Sequence, residues 1–196
     1  MKNYSGFTLT ELLLVIALAA IMVAMGMPHF GDMVKDNRRA AEVNRFVSSL
    51  NLARTEALKR RTTVTVCKTD DPLAVTPDCE ATASWEDGWL IFVNLDGDDS
   101  PAAVDAGETV LRVSDAIGDG ITVTGFGDFT NHISYGFDGT LRVPATSTGG
   151  RFNICDDRGA PGARAVLINN TGRARLSTDT DADGIHEDES NNDLTC

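Results

Sequence analysis

Arg173 and Arg175 stand two residues apart. On a β-strand that spacing sends both side chains to one face. Guanidinium groups placed so can each grip a phosphate through paired N–H donors. Asn170 and Gly172 allow the tight turn that would present them, and Arg158 and Arg164 could enlarge the patch. The competing use is local: a solvated hairpin whose arginines pair with Asp156 and Asp157. Further on, Asp179, Asp181, Asp183 and Gly184 repeat the acid spacing and turn glycine of a calcium loop. Ser190 stands where that loop needs a bidentate glutamate, with Glu189 beside it, so a plain acidic tail is the alternative. Asn94, Asp96, Asp98 and Asp99 form a weaker acidic loop of the same kind. No cofactor is required by any of these patterns, and calcium is the one metal they suggest.

Enzyme signatures are missing. The chain has no P-loop, no G-x-S-x-G and no H-E-x-x-H, and His29, His132 and His186 are scattered through stem, strand and tail. A lone strand histidine such as His132 is more often packed than catalytic. The chain is expected not to be an enzyme. Cys67, Cys79, Cys155 and Cys196 contain no C-x-x-C pair, which argues against a zinc knuckle or a thioredoxin site. Four thiols allow three pairings. The local choice is Cys67–Cys79 and Cys155–Cys196, and it requires an oxidising compartment.

The elements that carry these residues differ in charge. With 196 residues, 42% of them hydrophobic, the chain is long enough for one cored domain. Net charge is −12, which excludes broad whole-surface binding of nucleic acid but not a small basic site. Residues 31–62 are net +4 and residues 63–196 net −16, so a basic stem precedes an acidic head. Within the head, residues 151–175 are net +3, and residues 176–196 hold seven acids and no Lys or Arg.

The stem comes first. Leu12–Met27 is 16 residues without a charge, and with Phe7–Thr10 the apolar stretch reaches 21 residues interrupted only by Glu11. At about 1.5 Å per residue this just spans a bilayer core of about 30 Å. A cleaved secretory signal ending near Ala24-Met25-Gly26 is the plain alternative. Two features oppose it. Glu11 has no use in such a signal and costs about 3 kcal/mol or more in lipid. The helical pattern also runs on, with Phe30, Met33, Val34, Val43, Phe46, Val47, Leu50, Ala53, Ala57 and Leu58 at steps of three and four. A single helix over Phe7–Arg61 is expected, kinked or loosened at Pro28.

After Arg61 the period changes to two. Strands are expected over 62–68, 88–94, 108–113, 121–124, 132–137, 140–143, 151–155, 164–169 and 173–177. Asp138-Gly139 and Asn170-Thr171-Gly172 are hairpin turns. Trp85 and Trp89 are expected to pack the core and anchor a turn. The class is α+β, a long helix packed on an antiparallel β head.

These residues carry a resemblance. Gly6-Phe7-Thr8-Leu9-Thr10-Glu11 followed by LLLVIAL resembles the class III signal of type IV prepilins and type II secretion pseudopilins. Trp85-Glu86-Asp87-Gly88-Trp89-Leu90-Ile91-Phe92 with Asp96-Gly97-Asp98 is similar to the GspH/FimT family signature. So are Phe152–Gly159, Arg164–Ile168 and Thr171–Arg175; only the tail after Ser177 departs. The resemblance implies the type IV pilin fold. It implies that a prepilin peptidase cuts after Gly6 and methylates Phe7. Glu11 would then meet a neighbouring subunit's Phe7 ammonium and set filament register. Gly172-Arg173-Ala174-Arg175 resembles the GRxR motif with which FimT-like pilins bind DNA. The implied organisation is a leader over 1–6, a helix over 7–61 (transmembrane 7–27, stem 28–61), a periplasmic head over 62–177 and an acidic tail over 178–196. The expected place is the bacterial inner membrane, crossed once, until a pilus or pseudopilus extracts the subunit. Expected partners are other pilins, the peptidase, the inner membrane and double-stranded DNA. The alternative is an H-type secretion pseudopilin that binds no DNA.

Overall fold

A computed structural model describes residues 6, 8–97, 103–142 and 149–196, with the side chains of 24–29 outside that set. Phe7, Asp98, Asp99 and Val143, all named above, therefore lie outside the described residues. Residue contacts divide the chain into Met1–Arg38 and Arg39–Cys196.

One helix, α1, runs Leu9–Arg60 and remains helical through position 28. Its start is closed by a capping box. The Glu11 amide donates to Thr8 Oγ1 at 3.3 Å, and the Thr8 amide donates back to Glu11 Oε2 at 2.9 Å. Its end is set by Arg61, whose φ of 56° leaves the helical region, while the Thr62 amide closes on the Ala57 carbonyl. In the first unit the apolar side chains from Leu9 to Val23 are largely exposed, Leu9 and Met22 most of all. Among the described residues, no helix is long and apolar enough to cross a membrane. The expected span over 7–27 lies partly outside those residues.

The second unit contains the rest of α1 and eight strands. The strands are β1 (Thr63–Lys68), β2 (Trp89–Asn94), β3 (Thr109–Ser114), β4 (Ile121–Gly125), β5 (His132–Tyr135), β6 (Gly149–Asp156), β7 (Arg164–Asn169) and β8 (Ala174–Leu176). They form two antiparallel sheets, ordered β3-β2-β1-β5 and β4-β6-β7-β8. The division into two sheets was not visible in the strand pattern. Of the strand expected over 140–143, the described residues 140–142 form no strand. Leu141 makes a single bridge to Tyr135, because the turn closes early with the Gly136 amide on the Thr140 carbonyl and the Gly139 amide on that of Gly136.

One stripe of α1 fills the gap between the sheets. Val43, Phe46, Leu50, Ala53 and Ala57 recur every three or four residues and are buried. Val64, Val66, Trp89 and Ile91 meet this stripe from the first sheet, and Phe152, Ile154, Val166 and Ile168 from the second. Phe46 lies edge-on to Trp85, Trp89 and Phe152, with ring centroids 4.7–5.7 Å apart. Trp85 also donates its indole N–H to the Phe129 carbonyl at 3.2 Å, and so anchors the turn after β4 as well as the core. Both tryptophans have the packing role expected of them. An ion pair joins the same two layers: Arg39 of α1 and Asp156 of β6 meet at 3.0 Å with side chains 6% and 4% exposed.

The outer face of each sheet is covered as well. Cys67–Cys79 fastens a loop over Leu90 and Phe92. Cys155–Cys196 fastens the chain's last residues over Ala165 and Leu167, where Leu194 is buried. Both disulfides are the local pairing expected from the sequence, and no described cysteine is free.

Candidate functional site

The hairpin joining β7 and β8 presents Arg173 and Arg175. Asn169 builds the turn. Its side-chain oxygen accepts from the Arg173 amide at 3.0 Å and from the Thr171 hydroxyl at 2.7 Å. Gly172 has φ 73° and lies against the Gly139 carbonyl and the Tyr135 ring, where a Cβ would come within 2.4 Å of the carbonyl oxygen. Only glycine meets both demands. Arg54 of α1 ties the turn down by donating to the carbonyls of Gly139 and Thr171. Arg173 and Arg175 are exposed, and among the described residues neither has a side-chain hydrogen bond or ion pair.

The other two candidate arginines are engaged elsewhere. Arg158 closes on Asp156 at 2.6 Å. The pair takes Arg158 rather than the hairpin arginines to Asp156, and it uses the carboxylate that also holds Arg39. Burial pushes the Asp156 carboxyl up, but hydrogen bonds from Arg158 and the charges of Arg158 and Arg39 outweigh it and hold it below its ordinary value. Arg164 donates to the Ala163 carbonyl at 2.6 Å and lies near His186. Burial lowers the His186 pKa, and the Arg164 charge adds to the shift.

Arg151 on β6 contributed to the local positive excess but was not among the candidates. Its guanidinium lies 4.6 Å over the Phe126 ring and pairs with Glu189 at 2.9 Å and Asp188 at 3.3 Å. Burial raises the Asp188 carboxyl; amide donors from Asn192 and Ser190, the Asn192 side chain and the Arg151 charge outweigh it and keep it low. Only the strand register brings Arg151 to the acidic tail, so no local pattern could have pointed to it.

The tail itself is folded. Leu194 donates its amide to the His186 carbonyl, Asn153 holds the Thr195 carbonyl, and Glu187 is buried with both carboxylate oxygens on the Thr180 amide. Asp179 accepts from the amides of Ala182 and Gly184, Asp181 from that of Asp183, and Asp183 from that of Ile185. The three calcium candidates do not make one cluster by themselves. Asp179 and Asp181 converge with Glu187, and Asp181 and Asp183 with Asp193. In each group the ligand atoms lie within 4.8 Å of one another. Repulsion from Asp183, with burial and the neighbouring acids, raises the Asp193 carboxyl. Glu187 is the ninth residue of the loop counted from Asp179 and was legible in principle; Asp193 comes back through the short turn at 188–192, which bridges it to Glu187. Glu189, the stand-in for the missing twelfth-position ligand, is turned to Arg151 instead. In the other acidic loop, Asn94 is buried and serves the turn, accepting from the Gly97 amide at 2.5 Å.

At the opposite end of the chain, Gly6 and Glu11 flank position 7. Glu11 is bonded to Thr8 on its own helix, so its first partner is its own N-cap.

Two solved crystal forms of the type IV minor pilin FimU of Pseudomonas aeruginosa share this fold. One matches with a TM-score of 0.54 at 23% identity, over 73% of this chain and 90% of that one. The other matches with a TM-score of 0.52 at 22% identity, over 71% and 92%. No curated protein matches the chain. The prokaryotic N-terminal methylation motif matches residues 1–27. The profile described as type II transport protein GspH matches residues 42–172, which include the aromatic core, the first sheet, β4, β6 and β7 of the second and the turn of the arginine hairpin, and the chain belongs to that family.

Proposed function

We propose that this chain is a minor, non-enzymatic subunit of a type IV pilus or type II secretion pseudopilus. One observation carries the reading: a methylation motif opens directly into a helix whose apolar side chains from Leu9 to Val23 stay exposed. An exposed apolar helix needs lipid or other helices to cover it. The reading places residues 7–27 across the bacterial inner membrane once, with the head in the periplasm until filament growth extracts it. Two disulfides support an oxidising compartment for the head. Prepilin peptidase would cut after Gly6 and methylate Phe7. Glu11 would exchange its own cap for the Phe7 ammonium of a neighbour. Intact-mass analysis of membrane-derived protein tests this: the mature chain should begin with methylated Phe7. A start near residue 27 would overturn it. Glu11→Ala should permit cleavage and weaken incorporation into filaments.

A second reading concerns DNA. Arg173 ends the turn and Arg175 lies on β8; both are exposed and have no side-chain partner among the described residues, which favours contact with phosphates. Such contact would be weak and salt-sensitive, and would gain from several subunits along a filament. A gel shift with double-stranded DNA should be lost in Arg173→Ala/Arg175→Ala and should fade steeply with salt. No shift by the wild type at low salt would leave the H-type secretion pseudopilin as the function. For the tail, we read the two carboxylate groups as a calcium site. Calcium should raise the unfolding temperature, and Asp181→Asn, which removes the acid common to both groups, should abolish that rise.

A further inference from the structure

Arg151, Leu167 and Arg175 form one row across three strands. Arg151 is opposite Leu167 in the β6–β7 pair, and Leu167 is opposite Arg175 in the β7–β8 pair. Opposed residues of antiparallel strands share a face, and strands lie about 4.8 Å apart, so the two arginine backbones stand about 10 Å from each other. Both are long enough to reach a common anion above Leu167. A carboxylate is already there. Glu189 accepts from Arg151 Nη1 at 2.9 Å, and with Arg175 and Leu167 it lines a hollow of about 120 Å³. The Phe126 ring under Arg151 fixes the plane of its guanidinium. Arg151 Nε is buried and has no hydrogen-bond partner among the described residues, so the group holds an unused donor.

We propose that Arg151 and Arg175 form a phosphate seat on the outer face of the second sheet, and that Glu189 of the tail occupies it in place of a nucleic-acid phosphate. The inference rests on the reading that Arg173 and Arg175 contact DNA, and adds Arg151 to that surface. The tail acts as an internal competitor. Glu189 is 46% exposed in its pair with Arg151, and ion pairs near solvent hold weakly; the better buried Asp188 keeps its own contact with Arg151, and Leu194 and Cys196 anchor the tail independently of Glu189. A polyanion that releases counterions can therefore displace the carboxylate without detaching the tail.

The test uses the full chain in detergent micelles with two probes, a labelled DNA duplex and inorganic pyrophosphate, at low salt. Glu189→Gln should bind both about five- to tenfold more tightly than wild type. Adding Arg151→Gln or Arg175→Gln should remove the gain. Asp70→Asn changes net charge equally but sits beside the other sheet, and should give no gain. An unchanged near-ultraviolet circular dichroism spectrum establishes that each variant is folded. If Glu189→Gln matches wild type on both probes while Arg173→Ala/Arg175→Ala weakens DNA binding, the seat is overturned and the DNA reading stands. A gain on pyrophosphate with no DNA binding by any variant supports the seat and overturns the DNA reading. No binding of either probe overturns both.

Discussion

The two sheets solve one problem in different ways. Each turns one face to α1 and must cover the other. The first sheet covers its outer face with apolar groups. Cys67, Leu90 and Phe92, with Val110 and Val113 beside them on β3, pack under Cys79 and Val104, and a disulfide spanning 12 residues holds the cover. The second sheet has a smaller apolar patch of Cys155, Ala163, Ala165, Leu167 and Leu194, flanked by arginine–carboxylate pairs, with a disulfide spanning 41 residues. Apolar cover is hard to remove, because every exposed Å² costs about 25 cal/mol. Ionic cover near solvent is weak and exchangeable. The first outer face is therefore covered mainly for stability, and the second is the one on which we place the proposed exchange of Glu189 for phosphate.

Four measurements would break or sharpen this contrast. The largest effect concerns the disulfides. Removing Cys155–Cys196 with serines should cost about 4 kcal/mol, and removing Cys67–Cys79 about 3, because the longer loop gains more entropy when released. Urea titrations followed by Trp85 and Trp89 fluorescence give both values, and the reverse order would show that the short apolar cover depends more on its bridge. Next, Asp156→Asn should cost about 3 kcal/mol by leaving Arg39 buried without its partner. The pH dependence has a definite sign. The folded Asp156 pKa lies below its ordinary 3.8, so its stabilisation is present above that value and is lost as pH falls through the lowered one. Acid titration of wild type and variant should converge at low pH. Third, Leu194→Ala should cost about 2 kcal/mol, since this tail side chain is 1% exposed where it packs on the second sheet. Hydrogen exchange should then rise over 178–196 and not over 69–79. Smallest of all, Arg173→Ala/Arg175→Ala should shift stability by no more than about 0.5 kcal/mol. A larger loss in the same urea titration would make these arginines part of the cover.

Much of this organisation follows from local pattern. The apolar steps of three and four between Val43 and Ala57 place the buried face of α1, because a 3.6-residue period puts them on one stripe whatever they meet. β1, β2 and β7 were legible as runs rich in β-branched and apolar residues, and Asn170-Thr171-Gly172 as the turn that presents Arg173 and Arg175. Within the motif at the N-terminus, the Thr8–Glu11 cap is also readable, as a threonine and a glutamate three residues apart. Residues 140–142 form no strand for a local reason too: the Gly136–Thr140 turn takes up residues that a second arm would need.

What tertiary structure alone decided is which distant groups meet. No spacing rule separates the strands into two sheets, since each strand pattern is compatible with either. Asp156 is near Asp157 and Arg158 in sequence, yet its buried partner is Arg39, 117 residues away. Arg151 meets Glu189 only because β6 pairs with β7 and the tail is fastened back to Cys155. Periodicity and turn chemistry act over a few residues, so they determine elements and the faces those elements expose. Pairings across tens of residues depend on loop closure and on the burial that repays it, and those are properties of the whole fold.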